Sequence, residues 1–306
     1  MRPVILQLDD AFERQVRFER RVRASGGQVI ACRDIGPALR LWSRPSTLAQ
    51  LKRRLETGLP VQEQGEVVFA GSGDFHHVTP LLLERAVARA GGPVTVIHFD
   101  NHPDWVRQSP GLHCGSWVGP AARLEGVAGV ITVGVCSHDI SRAKSARGDL
   151  ALITEGRLEI FAWDAPDGGD HVALSGRRWP TIAALGEAAF LGALVSTVRA
   201  RAIYVTIDKD VLRPQDAVTN WDQGRASLDF VIAAVRRLAE SCRVVGADVV
   251  GDWSTPIYGG GRGAGLLKRA EALLDQPWTR KRPLEASELN QAVNLRLLDL
   301  FVGLTA

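Results

Sequence analysis

Eight short runs rich in Val and Ile punctuate the chain: Val4 to Leu8, Val29 to Cys32, Val67 to Ala70, Val94 to Phe99, Val130 to Val135, Leu158 to Trp163, Ala202 to Ile207 and Val244 to Val250. Continuous apolar runs of this length read as strands buried on both faces. Between several of them lie stretches of helical period, Thr47 to Glu56, Pro80 to Ala90, Ile182 to Val198, Leu228 to Glu240 and Glu288 to Val302. Alternation of this kind predicts an α/β chain with three α/β/α layers and a mainly parallel sheet covered by helices. Ser227 is placed to cap the helix that starts at Leu228, and Gly91-Gly92 to stop the one that begins near Pro80. The segments Asp164 to Pro180 and Gly259 to Gly265 lack periodicity and read as surface loops, too short and too little biased to be linkers. Residues 1–306 therefore read as a single domain, with the apolar face of Leu289 to Leu304 docked on the sheet.

Composition narrows the class. With 45% hydrophobic and 23% charged residues, the 306-residue chain can bury a sizeable core. The net charge of +3 is small and evenly spread, which argues against nucleic acid as a partner. No run of about 18 uncharged apolar residues is present to cross a membrane. The first twenty residues alternate charged with apolar side chains, unlike a signal peptide, so a cytoplasmic protein is expected. Cys32, Cys114, Cys136 and Cys242 are far apart without CxxC pairing, which suits a reducing compartment and argues against a zinc-thiolate site. A metal here needs histidine and carboxylate ligands.

Such ligands cluster at three strand ends. Asp100, His102 and Asp104 follow the Val94 to Phe99 run at two-residue spacing, so in an extended segment they point the same way. Open α/β sheets bind ligands at that end. Asp208 and Asp210 follow the Ala202 to Ile207 run in the same manner; two carboxylates this close repel unless a cation lies between them. After Val67 to Ala70 comes Gly71-Ser72-Gly73-Asp74-Phe75-His76-His77, whose glycines allow close backbone approach. One of its two histidines is expected to be a ligand, and residue chemistry alone does not separate His76 from His77. Two histidines and four carboxylates suit two divalent ions, with manganese favoured by the hard oxygens and iron or zinc as alternatives.

In this order the three segments resemble the motifs of the ureohydrolases, the arginase and agmatinase family. Asp100-Asn101-His102-Pro103-Asp104 is similar to Asp-Ala-His-x-Asp, with Asn for Ala. Thr206 to Pro214 resembles Ser-x-Asp-x-Asp-x-x-Asp-Pro, with Thr206 for Ser and Arg213 for the last Asp. The first segment resembles Gly-Gly-Asp-His more loosely, because Phe75 intervenes, and this alignment puts the ligand at His76. The resemblance spans roughly Val67 to Pro256. It implies an arginase-like fold and two manganese ions, one held by His76, Asp100, Asp104 and Asp208, the other by His102, Asp100, Asp208 and Asp210. It further implies that the metals activate water for attack on a guanidinium carbon, giving urea and an amine, with Asp104 relaying a proton to the leaving amine and His113 exchanging protons with solvent. The family commonly forms trimers or hexamers, so a homo-oligomer is an expectation here.

One departure bears on substrate. Family members usually carry Asp-x-x-Glu at the end of the last core strand, where the Glu orients the guanidinium; here the run is Asp248-Val249-Val250-Gly251-Asp252. Asp252 is expected to supply the carboxylate if the strand end bulges. Residues that would grip the α-amino and α-carboxylate groups of free arginine are not recognisable. Trp105, Trp117, Trp221 and Trp253 lie near the motifs and suit a bulkier guanidine, such as an arginine side chain in a peptide. The alternatives are a deacetylase-like hydrolase of another C–N bond and a non-catalytic homologue.

Overall fold

All eight apolar runs form strands, and they hydrogen-bond side by side in one sheet. A computed structural model describes residues 1–60, 64–107, 111–141, 145–277 and 283–304. The strands are β1 (Arg2–Gln7), β2 (Gln28–Ala31), β3 (Glu66–Phe69), β4 (Val94–Phe99), β5 (Val127–Val135), β6 (Leu158–Ala162), β7 (Ala202–Asp208) and β8 (Arg243–Val250). Their order across the sheet is β2-β1-β3-β8-β7-β4-β5-β6, and every pairing is parallel. Every residue of β3, β4 and β7 is buried, so both faces of the sheet centre are covered. That is why these segments read as unbroken apolar runs and not as alternating ones.

The longer helices are α1 (Val16–Ala24), α2 (Pro45–Gly58), α3 (Thr79–Ala90), α4 (Glu187–Thr197), α5 (Leu228–Ala239), α6 (Arg262–Asp275) and α7 (Pro283–Gly303). Local chemistry sets their ends as expected. Ser227 Oγ accepts the Phe230 amide at 3.0 Å, and Gly91 ends α3 in the left-handed region at φ 67°. Helix α7 packs on β1, α1 and α5, burying Val293, Leu297, Leu298 and Phe301.

Three local expectations are corrected. The helix expected over Ile182 to Val198 is broken at Gly186, which sits at φ 76° between Ile182–Leu185 and α4. The segment 164–180, expected as loop, contains an antiparallel hairpin of His171–Leu174 and Arg177–Pro180. The loop expected to reach Gly265 ends earlier, because α6 begins at Arg262. Glycines at 263 and 265 mask the helical pattern there, since each weakens the local helical preference.

The topology brings the chemistry together. Strands β3, β8, β7 and β4 are neighbours, and the three ligand-rich segments leave from the C-terminal ends of β3, β7 and β4. Register places Asp248, Thr206, His98 and Thr132 in one row across β8, β7, β4 and β5. Below the site, then, the sheet carries a buried polar row inside an otherwise apolar core.

Candidate metal centre

His76, His98, Asp100 and Asp104 bring one nitrogen or oxygen each to within 4.8 Å of one another, and Asp100, His102 and Asp210 do the same beside them. Asp100 belongs to both groups, and its two oxygens divide between them. Oδ2 lies 3.0 Å from His76 Nδ1 and 2.8 Å from His98 Nε2, while Oδ1 lies 3.6 Å from His102 Nδ1. A carboxylate split in this way has the geometry of a bridge between two cations.

Each imidazole is aimed by a partner on its far side. His76 Nε2 meets Thr206 Oγ1 at 2.8 Å, and that hydroxyl donates to Asp248 Oδ1 at 2.8 Å. Thr206 must therefore accept from Nε2–H, which leaves the Nδ1 lone pair facing the carboxylates. Nδ1 is fully buried with no hydrogen-bond partner. A cation among these oxygens would satisfy it, and outward hydrogen bonds of this sort are what metal-ligating histidines use to fix the tautomer. His102 is held likewise, with Nε2 at 3.0 Å from Asp222 Oδ1 and Nδ1 at 3.0 Å from Asp210 Oδ2.

Asp208 lies against both groups, its Oδ2 3.7 Å from His76 Nδ1. Two glycines make room for it. A Cβ at Gly73 would stand 2.5 Å from Asp208 Oδ2, and one at Gly251 would stand 2.3 Å from Oδ1. Asp210 follows because Asp208 Oδ1 accepts its amide at 2.9 Å, turning the chain at the strand end. Burial and the charge of Asp100 push Asp208 up to about 7, and the same causes raise Asp210. Crowded carboxylates with raised affinity for protons are what a divalent ion would relieve. The residues present thus fit two such ions.

Asp104 is strained as well as buried. Its φ is 46°, in the left-handed region, and its Oδ2 accepts Trp117 Nε1–H at 2.7 Å while lying 3.1 Å from His76 Nδ1. A non-glycine residue held there costs roughly 1–3 kcal/mol and is characteristic of functional positions. Burial and the neighbouring Asp100 raise its carboxyl.

The two open expectations about the remaining residues separate clearly. His77 is fully buried and neither ring nitrogen has a partner, but it lies outside both ligand groups. Burial, then His113 and Lys268, lower its pKa well below the usual histidine value. Asp252 is placed away from the pocket. Its carboxylate is fully buried against Lys209 Nζ at 2.5 Å, Gln15 Nε2 at 2.8 Å and Asn294 Nδ2 at 3.2 Å. The strand end does turn after Val250, but Gly251 at φ 90° sends the next side chain to that buried pair and not to the ligands.

A cavity of about 530 Å³ opens over the cluster, lined by Asp100, His102, Asp104, Asp208 and Asp210 at one end. His113 reaches its wall because Leu112–His113 pairs with Trp42–Ser43. Its Nδ1 accepts the Gly115 amide at 2.8 Å, so Nε2–H is the end that meets Glu271 Oε1 at 2.7 Å. Trp105 and Trp221 also line the cavity, whereas Trp117 lies behind the ligands and Trp253 is not in the wall. His98, Asp222 and Glu271 stand at the site without being among the expected residues. The two-residue spacing that selected 100, 102 and 104 extends one step back to His98, so its signal was present. Asp222 and Glu271 lie in no motif and arrive only through folding.

A solved arginase from Bacillus subtilis matches with a TM-score of 0.57 at 16% identity over 98% of each chain. The chain has the arginase fold. A hypothetical agmatinase from Burkholderia thailandensis shares that fold with a TM-score of 0.56 at 18% identity, over 98% of this chain and 85% of its own. So does a formimidoylglutamase from Bacillus subtilis, with a TM-score of 0.56 at 13% identity over 95% and 86% of the two chains. No family model matches the sequence. An uncharacterised protein of Thermotoga maritima is 25% identical over 186 residues, 61% of this chain but only 58% of that protein's length. Against the expected ligands, the arginase fold here carries a further imidazole, His98, and lacks a carboxylate at 251. Among the described residues no helix is long and apolar enough to cross a membrane.

Proposed function

We propose that this protein is a dinuclear metal hydrolase that cleaves a C–N bond of a cationic guanidino compound, releasing urea and an amine. The observation that carries the reading is the division of Asp100, with one oxygen toward His76 and the other toward His102. His76, Asp100, Asp104 and Asp208 would hold one ion; His102, Asp100, Asp208 and Asp210 would hold the other. Manganese suits the carboxylate-rich set, with iron or zinc as alternatives. Two such ions, when bound, supply Lewis acidity toward substrate and water at neutral pH.

The chain's own groups do the rest. Asp104, in the cavity wall and held by Trp117, is placed to carry a proton to the departing amine. His113, oriented by Gly115 and Glu271 in the cavity wall, is placed to exchange protons with solvent. Two ions would balance the four ligand carboxylates. Among the described residues, the rest of the wall carries Asp139, Asp222 and Glu271 as well as Arg147, polar groups able to meet a cationic substrate. The volume is in the range of pockets that take drug-sized ligands, about 300–1,000 Å³, so a guanidine bulkier than free arginine, including a peptide-linked one, fits this reading.

Gly251 supports a second reading. A glutamate there would collide with Asp208 and Lys209, so the backbone itself excludes the family's guanidinium-orienting carboxylate. Hydrolysis of another C–N bond, such as an amide, needs no such group. Urea and amine release by Mn-loaded protein, across arginine, agmatine, guanidino acids and arginine-containing peptides, tests the choice. Urea from any of them, lost in Asp208→Ala, supports the first reading. Turnover of an acylated amine without urea would replace it with the second.

A further inference from the structure

We propose that Asp222, held in place by Asn101, is the positioning residue that keeps His102 a ligand of the second cation position. The inference rests on the two-metal reading and concerns how one of its ligands is fixed. His102 is the more exposed of the two ligand imidazoles, its side chain 18% accessible against 1% for His76. His76 is enclosed by burial against Trp117, with ring centroids 4.8 Å apart. The ring of His102 is less enclosed, so its direction depends more on what its far nitrogen meets.

A chain of hydrogen bonds with determined directions settles that nitrogen. The Cys136 amide can only donate, and it meets Asn101 Oδ1 at 3.3 Å. This turns Asn101 Nδ2 toward Asp222, where it donates to Oδ2 and to the backbone oxygen, both at 3.1 Å. With Oδ2 engaged, the other carboxylate oxygen, Oδ1, faces His102 Nε2 at 3.0 Å. A carboxylate only accepts, so Nε2 carries a proton, and in the neutral ring that binds a metal the lone pair is on Nδ1. Nδ1 stands 3.0 Å from Asp210 Oδ2 and 3.6 Å from Asp100 Oδ1, among the oxygens of the second position. Asn101 is buried, and its own backbone amide donates to Asp210 Oδ1 at 3.0 Å.

Exposure shows why Asn101 is needed. The Asp222 side chain is 55% accessible, and a surface carboxylate beside an imidazole contributes little when both side chains must be ordered for the contact. The fold reduces that ordering cost. Thr219 Oγ1 donates to the Trp221 carbonyl at 2.8 Å, and Trp221 Nε1 donates to buried Asp74 Oδ1 at 2.9 Å, which pins the loop before Asp222. The Trp221 ring itself lies edge-on to His102, with centroids 5.8 Å apart. Asn101 adds the last tie, directly to the carboxylate. It stands where the ureohydrolase motif has Ala, a side chain with no donor for Asp222. The departure at 101 and the carboxylate at 222, which lies in no motif, therefore act as one device.

Manganese binding to the whole protein, measured by equilibrium dialysis, tests this. The wild type is expected to take up two ions per chain. Asp222→Ala and Asn101→Ala should each weaken one of the two by about tenfold or more, leaving the other ion and the metal-free thermal melt unchanged. The double variant should lose no more than Asp222→Ala alone, because Asn101 acts through Asp222. Zinc-loaded protein labelled with ¹⁵N-histidine gives a second readout by NMR. The His102 Nε2–H, held by Asp222, should exchange slowly in the wild type and be lost in Asp222→Ala, while the His76 signal, held by Thr206, persists. Unaltered affinity for both ions in Asp222→Ala would overturn the inference, and so would equal weakening of both or a His102 signal that survives the substitution. Fewer than two ions in the wild type would instead overturn the two-metal reading.

Discussion

Lys209 and Asp252 form a fully buried ion pair, Nζ to Oδ2 at 2.5 Å, directly behind Asp208 and Asp210. Lys209 lies between Asp208 and Asp210, so the alternation that sends those carboxylates to the cavity sends the ammonium the other way. There it also meets Asn294 Oδ1 of α7 at 3.0 Å. The pair holds the end of β7 against the turn after β8, and it takes the carboxylate next in sequence to position 251 away from the cavity. Asp252→Ala should therefore destabilise the fold by about 3–5 kcal/mol, the usual effect of leaving a buried charge unpaired. Denaturant unfolding checks this. Unchanged stability with a raised KM would return Asp252 to the substrate site.

Gly73 and Gly251 confine the Asp208 carboxylate from two sides. Gly251→Glu should not create an arginine-binding site: the residue would need φ 90° and a Cβ 2.3 Å from Asp208 Oδ1. The expected outcome is loss of bound metal, read by elemental analysis of the purified variant. Gly73→Ala should lower metal affinity by about tenfold or more through the same carboxylate.

Metal removal should destabilise the protein, because four buried carboxylates would face one another without a counter-charge. Manganese at about 100 times its dissociation constant should add about 2.7 kcal/mol to unfolding stability, reversed by a chelator. Asp210→Asn, which removes one oxygen ligand on the His102 side, should lose part of that increment. A thermal melt insensitive to both metal and chelator would contradict the ligand assignment.

Lys268 is buried over the Trp42 ring at 4.6 Å and donates to Ala38 O at 2.8 Å, and burial lowers its pKa to about 8. Because the folded state binds this proton less tightly than the unfolded state, folding pays for a charged Lys268 below about pH 8. The cost falls away as pH rises from about 8 toward the ordinary lysine value of about 10.4. Wild-type stability relative to Lys268→Met should rise across that window. A flat difference would show that the ammonium is not desolvated.

Glu271 links α6 to the cavity by accepting from His113 Nε2 at 2.7 Å and from Trp42 Nε1 at 2.9 Å. Glu271→Gln should weaken the hold on His113 and reduce kcat with little loss of bound metal. Loss of metal instead would make Glu271 part of the ligand framework.

The architecture was legible because a parallel sheet buried on both faces writes each strand as a continuous apolar run. The ligand segments were legible because a strand that ends at a site keeps its two-residue alternation for a few positions, as at 100, 102 and 104. His98 escaped because it falls inside the apolar run, where a histidine reads as a packed core residue. Asp252 misled for the opposite reason: adjacency to position 251 in sequence says nothing about direction, and the positive φ of Gly251 decides it. Glu271 and Asp222 reach the cavity from α6 and from the loop after β7, an outcome of tertiary packing that no local spacing encodes.

Asp100 is proposed to join two cation positions. Anomalous diffraction at the manganese edge from crystals grown with manganese tests it most directly. Two peaks per chain are expected, about 3.5–4 Å apart, one beside His76 and one beside His102, with Asp100 between them. A single peak, or none within reach of Asp100, would contradict it.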